Sequence, residues 1–158
     1  MLSVTYPPPN ISYLHPMLFD PDNPIMKLCA GGMQLEGEGR HSEAAKLFHK
    51  AWAEASNDLE KFTAAHYVAR HQNSVADKLT WDETALYFAL RIKDESVKET
   101  LPSLYLNIGK CHEDLHDAGN AMKNYELALE YAQFLPQDGY GNMIRAGIEN
   151  GIKRVVGL

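Results

Sequence analysis

Two distant stretches of this chain follow one pattern. GRHSEAAKLFHKAWAEA, beginning at Gly39, and HDAGNAMKNYELALEYA, beginning at His116, both pass through a tight turn into the same spacing of small and aromatic residues. Ala44, Phe48 and Ala51 in the first match Ala121, Tyr125 and Ala128 in the second. In each case a glycine, Gly32 or Gly109, stands nineteen positions before the last alanine. A more divergent copy lies between them, with Ala69 and Ala89 in the small-residue places, Leu86 for the aromatic and Asp82 for the first alanine. Its register is supported on both sides: Ala51, Ala89 and Ala128 are 38 and 39 residues apart, and Gly32, Ala69, Gly109 and Gly147 are 37, 40 and 38 apart. A fixed period of this length restricts the fold severely. Each repeat is one supersecondary unit that buries its apolar face only against its neighbours.

The units are helical. Apolar residues recur at three- and four-residue intervals, as in Leu47, Phe48, Ala51, Trp52 and Ala55, and no alternating strand pattern is found. Asn23-Pro24 is a helix start, because Asn caps free amides and Pro lacks the amide that the first helical position would waste. Asn57-Asp58-Leu59-Glu60 and Thr80-Trp81-Asp82-Glu83 have capping-box spacing, and Ser42 opens another helix after Gly39-Arg40. These signals predict seven helices near 24–38, 42–56, 58–73, 81–97, 101–115, 119–134 and 140–155. Residues 1–22 carry Pro7, Pro8, Pro9, Pro16 and Pro21 and read as an extended arm, with Leu14, Met17, Leu18 and Phe19 able to pack on the domain. The expected organisation is that arm followed by one helical domain over 23–158.

The A-x3-F pattern, the further alanine and the small residue in the preceding helix resemble the tetratricopeptide repeat (TPR). The resemblance covers about residues 24–155, with a period longer than the usual ~34. It implies an all-α right-handed superhelix of antiparallel helix pairs, three repeats closed by a lone helix. Small residues let the two helices of a pair approach, and the aromatic fills the gap to the next pair. The first helices of such pairs line a groove. Carried onto this sequence, the groove residues are His66 and Arg70 in the second unit, Asn107 and Lys110 in the third and Arg145 in the last helix. In clamp-type members the places of Asn107 and Arg145 grip a peptide's terminal carboxylate. Here Gly141 stands where those clamps have lysine, and His66 and Arg70 replace lysine and asparagine. Tyr67, Leu106 and Ile144 are the expected apolar contacts.

One string suggests different chemistry. His112-Glu113-Asp114-Leu115-His116 matches H-E-x-x-H, in which two helical histidines bind zinc and the glutamate activates water. The repeat register places His116 where a TPR carries the glycine that ends its first helix, so the face needed for zinc is lost. No third ligand signature accompanies it. His112 is expected to pack, and Glu113 to face the groove rim or solvent. Cys29 and Cys111 fall at different places of their helices and read as buried thiols. The Gly31-Gly32 pair costs about 2 kcal/mol of helix propensity, which close helix packing explains.

Composition fits a globular domain: 45% of residues are hydrophobic and 23% charged, neither disordered nor membrane-like. A net charge of −6 argues against general affinity for nucleic acid or anionic lipid. Two cysteines are too few for a disulfide framework, which favours a cytoplasmic setting, and no apolar run approaches the ~18 residues of a membrane span. The N-terminus has no basic region of a secretory signal. The expected function is non-enzymatic: a module without cofactor or metal that binds a protein or peptide segment, acidic or with a free C-terminus, in a polar-to-basic groove. The rival readings are a self-associating structural subunit, pairing through Ile152, Val155, Val156 and Leu158, and a zinc-dependent hydrolase using HEDLH.

Overall fold

The structure is a computed structural model that describes residues 20–157. Most of the expected arm, and Leu158, lie outside the described residues. Seven α-helices run α1 (Pro24–Gly37), α2 (His41–Glu54), α3 (Asp58–Ala69), α4 (Val75–Ala89), α5 (Leu101–Asp114), α6 (Ala118–Tyr131) and α7 (Gly139–Val156). Short 3₁₀ turns over Glu95–Glu99 and Ala132–Phe134 precede α5 and α7, and no strand occurs among the described residues. The fold is all-α, as the periodicity predicts. Neighbouring helices pack in antiparallel fashion as α1/α2, α3/α4 and α5/α6, each pair leans on the next, and α1 also touches α3 while α5 touches α7. Among the described residues, no helix is long and apolar enough to cross a membrane.

The repeated residues form the core. Ala44, Phe48, Ala51, Ala121, Tyr125 and Ala128 are each 0% exposed. A Cβ on Gly32 would lie 2.3 Å from the Phe48 ring, and one on Gly109 would lie 2.8 Å from the Tyr125 ring. The glycines are therefore what lets each pair close on its aromatic. Phe48 then stacks on Tyr67 of the next pair, with ring centres 5.1 Å apart. On the closing helix the glycine seated against this ring is Gly151, whose Cβ would meet Tyr125 at 2.6 Å, and the register glycine Gly147 is only half-buried. Tyr125 also donates its hydroxyl to Glu113 Oε2 (2.5 Å), and Arg154 of α7 holds the same carboxylate through Nε (2.7 Å) and Nη2 (3.1 Å). Burial opposes that charge, but the bonds from Arg154 and Tyr125 keep Glu113 below the usual carboxylate range. Glu113 was expected at the groove rim or in solvent. Its side chain is instead 14% exposed and ties α5, α6 and α7 together.

The helix starts correct one boundary. Asn23 Oδ1 accepts from Ile25 N (2.8 Å) and Met26 N (3.1 Å), and Asn57 Oδ1 accepts from Glu60 N (2.9 Å), as read from sequence. The expected start at Thr80 is not a start. α4 begins six residues earlier, where Ser74 Oγ accepts from Asp77 N (3.0 Å). Thr80 lies inside the helix with its hydroxyl donated to Ala76 O (3.1 Å), a way for threonine to satisfy itself in a helix interior. α4 accordingly ends at Ala89, short of the expected 97, and the chain continues into the Glu95–Glu99 turn.

HEDLH is the corner of a pair. Gly39 has φ +76° and His116 has φ +62°, the left-handed conformation that costs an L-residue about 1–2 kcal/mol. The bonds around the two are alike: Arg40 N to Leu35 O and Asp117 N to His112 O, both 2.8 Å, each reaching back over the helix end. His116 therefore leaves the helical path, and its side chain cannot share the face of His112. His112 is nearly buried, with Nδ1 3.4 Å from Asp117 Oδ2.

The two hydrophobic clusters of the core, one around α1–α3 and one around α3–α7, meet at Trp52 and Trp81, which pack against both. The two rings meet edge to face with centres 5.1 Å apart.

Gly32→Ala and Gly109→Ala are each expected to lower stability by about 1–3 kcal/mol, because the added Cβ would overlap a ring that is itself fully buried. Urea unfolding midpoints measure this, and unchanged midpoints would contradict the glycine contacts. His116→Gly relieves the left-handed residue but loosens the unfolded chain, so the expected change is from zero to about 1 kcal/mol more stable. A clear loss of stability in that variant would mean the imidazole itself holds the corner.

Candidate functional site

The five expected groove residues lie on α3 and its C-terminal cap, α5 and α7, but most are already engaged. Arg70 Nη2 lies 3.2 Å from Glu36 Oε2, and His71 Nε2 lies 2.6 Å from Glu36 Oε1, so this nearly buried carboxylate joins the end of α1 to the end of α3. Arg70 Nη1 is covered and has no hydrogen-bond partner. Lys110 pairs with Asp114 on its own helix. Arg145 donates to the carbonyls of Leu135 (3.0 Å) and Pro136 (3.2 Å), closing the turn that leads into α7. Lys110 and Arg145, expected to pair with ligand carboxylates, therefore already have local partners. Asn107 is half-buried and makes no side-chain hydrogen bond among the described residues. Tyr67, Leu106 and Ile144, expected to touch a ligand, are 2%, 4% and 5% exposed and belong to the core.

His66 differs from the rest. α3 carries it between Phe62 and Tyr67, with ring centres 6.4 Å and 5.3 Å away. Its Nδ1 is fully covered and unpartnered. Burial, reinforced by the positive charges of Arg70 and Lys78, lowers its pKa to about 3, so the ring is neutral near pH 7. It borders a partly open cavity of about 40 Å³ between α3 and α5, lined by Phe62, Thr63, His66 and Tyr67 from α3, Thr100, Ser103 and Leu104 at the start of α5, and Tyr140 of α7. Tyr140 forms the remaining wall. Asp138 places it, since Oδ1 accepts from Gly141 N (2.8 Å) and starts α7 one turn before the buried Ile144. Sequence reading passed over Tyr140. Its position four before Ile144 and eight before Ile148, both buried, was the available signal.

A second hollow lies on the outer side, about 320 Å³, between α4 and α6 over α5. Leu86, Ile108 and Leu127 form its apolar part, and Glu83, His112, Lys123 and the asparagines Asn120 and Asn124 form the remainder. It is shallow and open to solvent.

In the middle pair Asp82 is a deeply buried acid, 1% exposed. Lys78 Nζ reaches Oδ2 at 2.5 Å, Cys111 Sγ lies 3.6 Å from the same oxygen, and Oδ1 is unpartnered. Burial raises the Asp82 pKa against the pull of Lys78. Burial likewise pushes the Cys29 and Cys111 thiols up to about 12, so neither is a nucleophile near neutral pH. No group of three His, Cys, Asp or Glu side chains among the described residues is arranged to hold a metal ion.

The chain matches no protein-family model, no curated protein and no solved structure. What the site can do rests on its own geometry.

The depressed His66 value gives a pH signature. An unfolded histidine takes a proton near pH 6.5, while folded His66 resists until about 3, so stability is full above 6.5 and declines as pH falls between the two. His66→Gln, neutral throughout, is expected to lose less stability than wild type between about pH 7 and about pH 4.5. Urea unfolding at both values checks this; parallel losses in the two proteins would rule it out.

Proposed function

We propose that the chain is a non-enzymatic TPR-like module that binds an extended protein or peptide segment along its inner face. The observation that carries this is the half-buried Asn107 amide of α5, which has no side-chain partner, together with the partly open cavity at His66 between α3 and α5. Buried polar atoms without hydrogen bonds are costly, and a ligand that completes them recovers that free energy on binding. Extended peptide backbone offers donors and acceptors in alternation and suits such a surface. Because Lys110 and Arg145 are engaged elsewhere, the ligand is read through hydrogen bonds more than through its charge, and Arg70 is the cation with capacity to spare. The matching aromatic-and-glycine contacts of the first and third pairs support the TPR-like reading, and two buried free thiols fit a reducing, cytoplasmic setting.

The rival readings gain less from the geometry. Val155 is buried and Ile152 packs on the core, so of the C-terminal residues proposed for self-association only Val156, 71% exposed, is presented among those described. The hydrolase reading needs His112 and His116 on one helical face, and His116 is at the left-handed corner.

Screening immobilised extended peptides and titrating those retained by calorimetry tests the proposal. Single-site binding is expected, weakened about tenfold or more in His66→Leu/Asn107→Ala, as loss of two hydrogen bonds requires, and unchanged in the outer variant Lys123→Ala. Equal affinity in the inner-face variant, or no binding peptide, would refute it.

A further inference from the structure

Five aromatic rings form a row across α2 and α4. His49 meets Trp81, Trp81 meets Trp52, Trp52 meets Phe88 and Phe88 meets Tyr87, with ring centres 6.0, 5.1, 5.9 and 5.1 Å apart. Each step is edge to face, an arrangement that ring quadrupoles favour, so faces and edges alternate along the row. The three middle rings are half-buried. The two ends are open, with His49 exposed and Tyr87 57% exposed.

Apart from the exposed His49 ring, the polar groups along the row that lack partners are donors. Neither indole N–H makes a hydrogen bond among the described residues, and neither is among the covered polar atoms. The Tyr87 hydroxyl accepts from Arg91 Nη1 (3.3 Å) and keeps its proton free. Lys61 Nζ lies 4.2 Å from the centre of the Trp52 ring and donates to Trp52 O (3.0 Å), yet has no ion-pair partner among the described residues. Arg91, beside the Tyr87 ring, is already paired with Asp58 (3.1 Å). A ligand suited to this surface supplies acceptors, flat aliphatic rings and a negative charge, and brings no amide N–H in need of an acceptor. Proline meets all of these but the charge. It has a carbonyl and no N–H, and a run of prolines forms the polyproline II helix, which has no internal hydrogen bonds. Aromatic-lined surfaces bind such helices readily, because the ligand is ordered beforehand.

We propose that this row is a second binding surface, separate from the inner face, for a proline-rich segment of a partner protein with an acidic residue beside its prolines. Proline rings lie against the faces of Trp52, Trp81 and Tyr87, the indole N–H groups donate to the segment's carbonyls, and the acidic residue pairs with Lys61. Charge favours a partner over the chain's own Pro7, Pro8 and Pro9, since the first acidic residue after them is Asp20 and none precedes them.

The full chain labelled with ¹⁵N gives two indole N–H signals, one for each tryptophan. It is titrated with an acetylated, amidated oligoproline ending in glutamate, with its glutamine counterpart, and with a counterpart in which alternate prolines are alanine. The expected result is a saturable shift of both indole signals by the glutamate peptide, with a dissociation constant on the order of 0.1–1 mM for a small exposed site. The glutamine peptide is expected to bind about 2- to 5-fold more weakly, the worth of one exposed ion pair, and Lys61→Gln should erase that difference. The alanine peptide should bind about tenfold more weakly, having lost the ordered helix. Tyr87→Ala, at an exposed position, should weaken the glutamate peptide, and the inner-face variant Asn107→Ala should not, with backbone spectra confirming that both fold. No saturation, saturation without movement of the indole signals, equal binding of the alanine peptide, or a glutamate preference that survives Lys61→Gln would each overturn the proposal. Other occupants show themselves in the protein alone. Dilution and Pro7→Ala/Pro8→Ala/Pro9→Ala are both expected to leave the indole signals in place. Movement on dilution would assign the row to another copy, movement in the proline variant to the chain's own prolines, and either overturns the partner reading.

Discussion

The whole stack depends on rings seated in gaps that only glycine leaves open. Tyr125 lies between Gly109 of its own pair and Gly151 of the closing helix, and any Cβ on either would overlap its ring. Dispersion forces fall off steeply with separation, so a contact of this kind works at van der Waals distance or contributes little. Seating the ring so deeply brings its hydroxyl to Glu113, and Glu113 in turn draws in Arg154. One apolar contact thereby positions a polar network across three helices. Phe48 does the same at the other end, with Gly32 behind it and Tyr67 stacked in front.

The middle pair lacks this device, and the consequences run through the molecule. Leu86 stands for the aromatic and is only partly buried. Asp82 stands for the small apolar residue, so a charge that burial disfavours occupies a place where the other pairs have a methyl group. A partly open cavity bordered by His66 lies between α3 and α5.

How much of this could be read beforehand follows from which forces are local. Alanine and aromatic spacing, the Asn23 and Asn57 caps and the glycine-like corner at His116 are set within one or two turns of helix, and all were legible. Thr80 was misread as a helix start, because a threonine satisfied inside a helix looks in sequence like one at its start. The groove residues were legible in position and not in state. Glu36, which engages Arg70, lies in a different helix, and the carbonyls that hold Arg145 belong to a turn whose path no periodicity describes. Glu113 was misread for the same reason, since its partner Arg154 is 41 residues away.

The chain's only two tryptophans, Trp52 and Trp81, sit edge to face where the two core clusters meet. Lys61 lies over the Trp52 ring, 4.2 Å from its centre, and also donates to that residue's carbonyl. Indole emission is sensitive to neighbouring charge and to solvent, so both natural fluorophores report on this seam and neither on the ends of the stack. The protein thus carries its own optical gauge of whether its two halves move as one body.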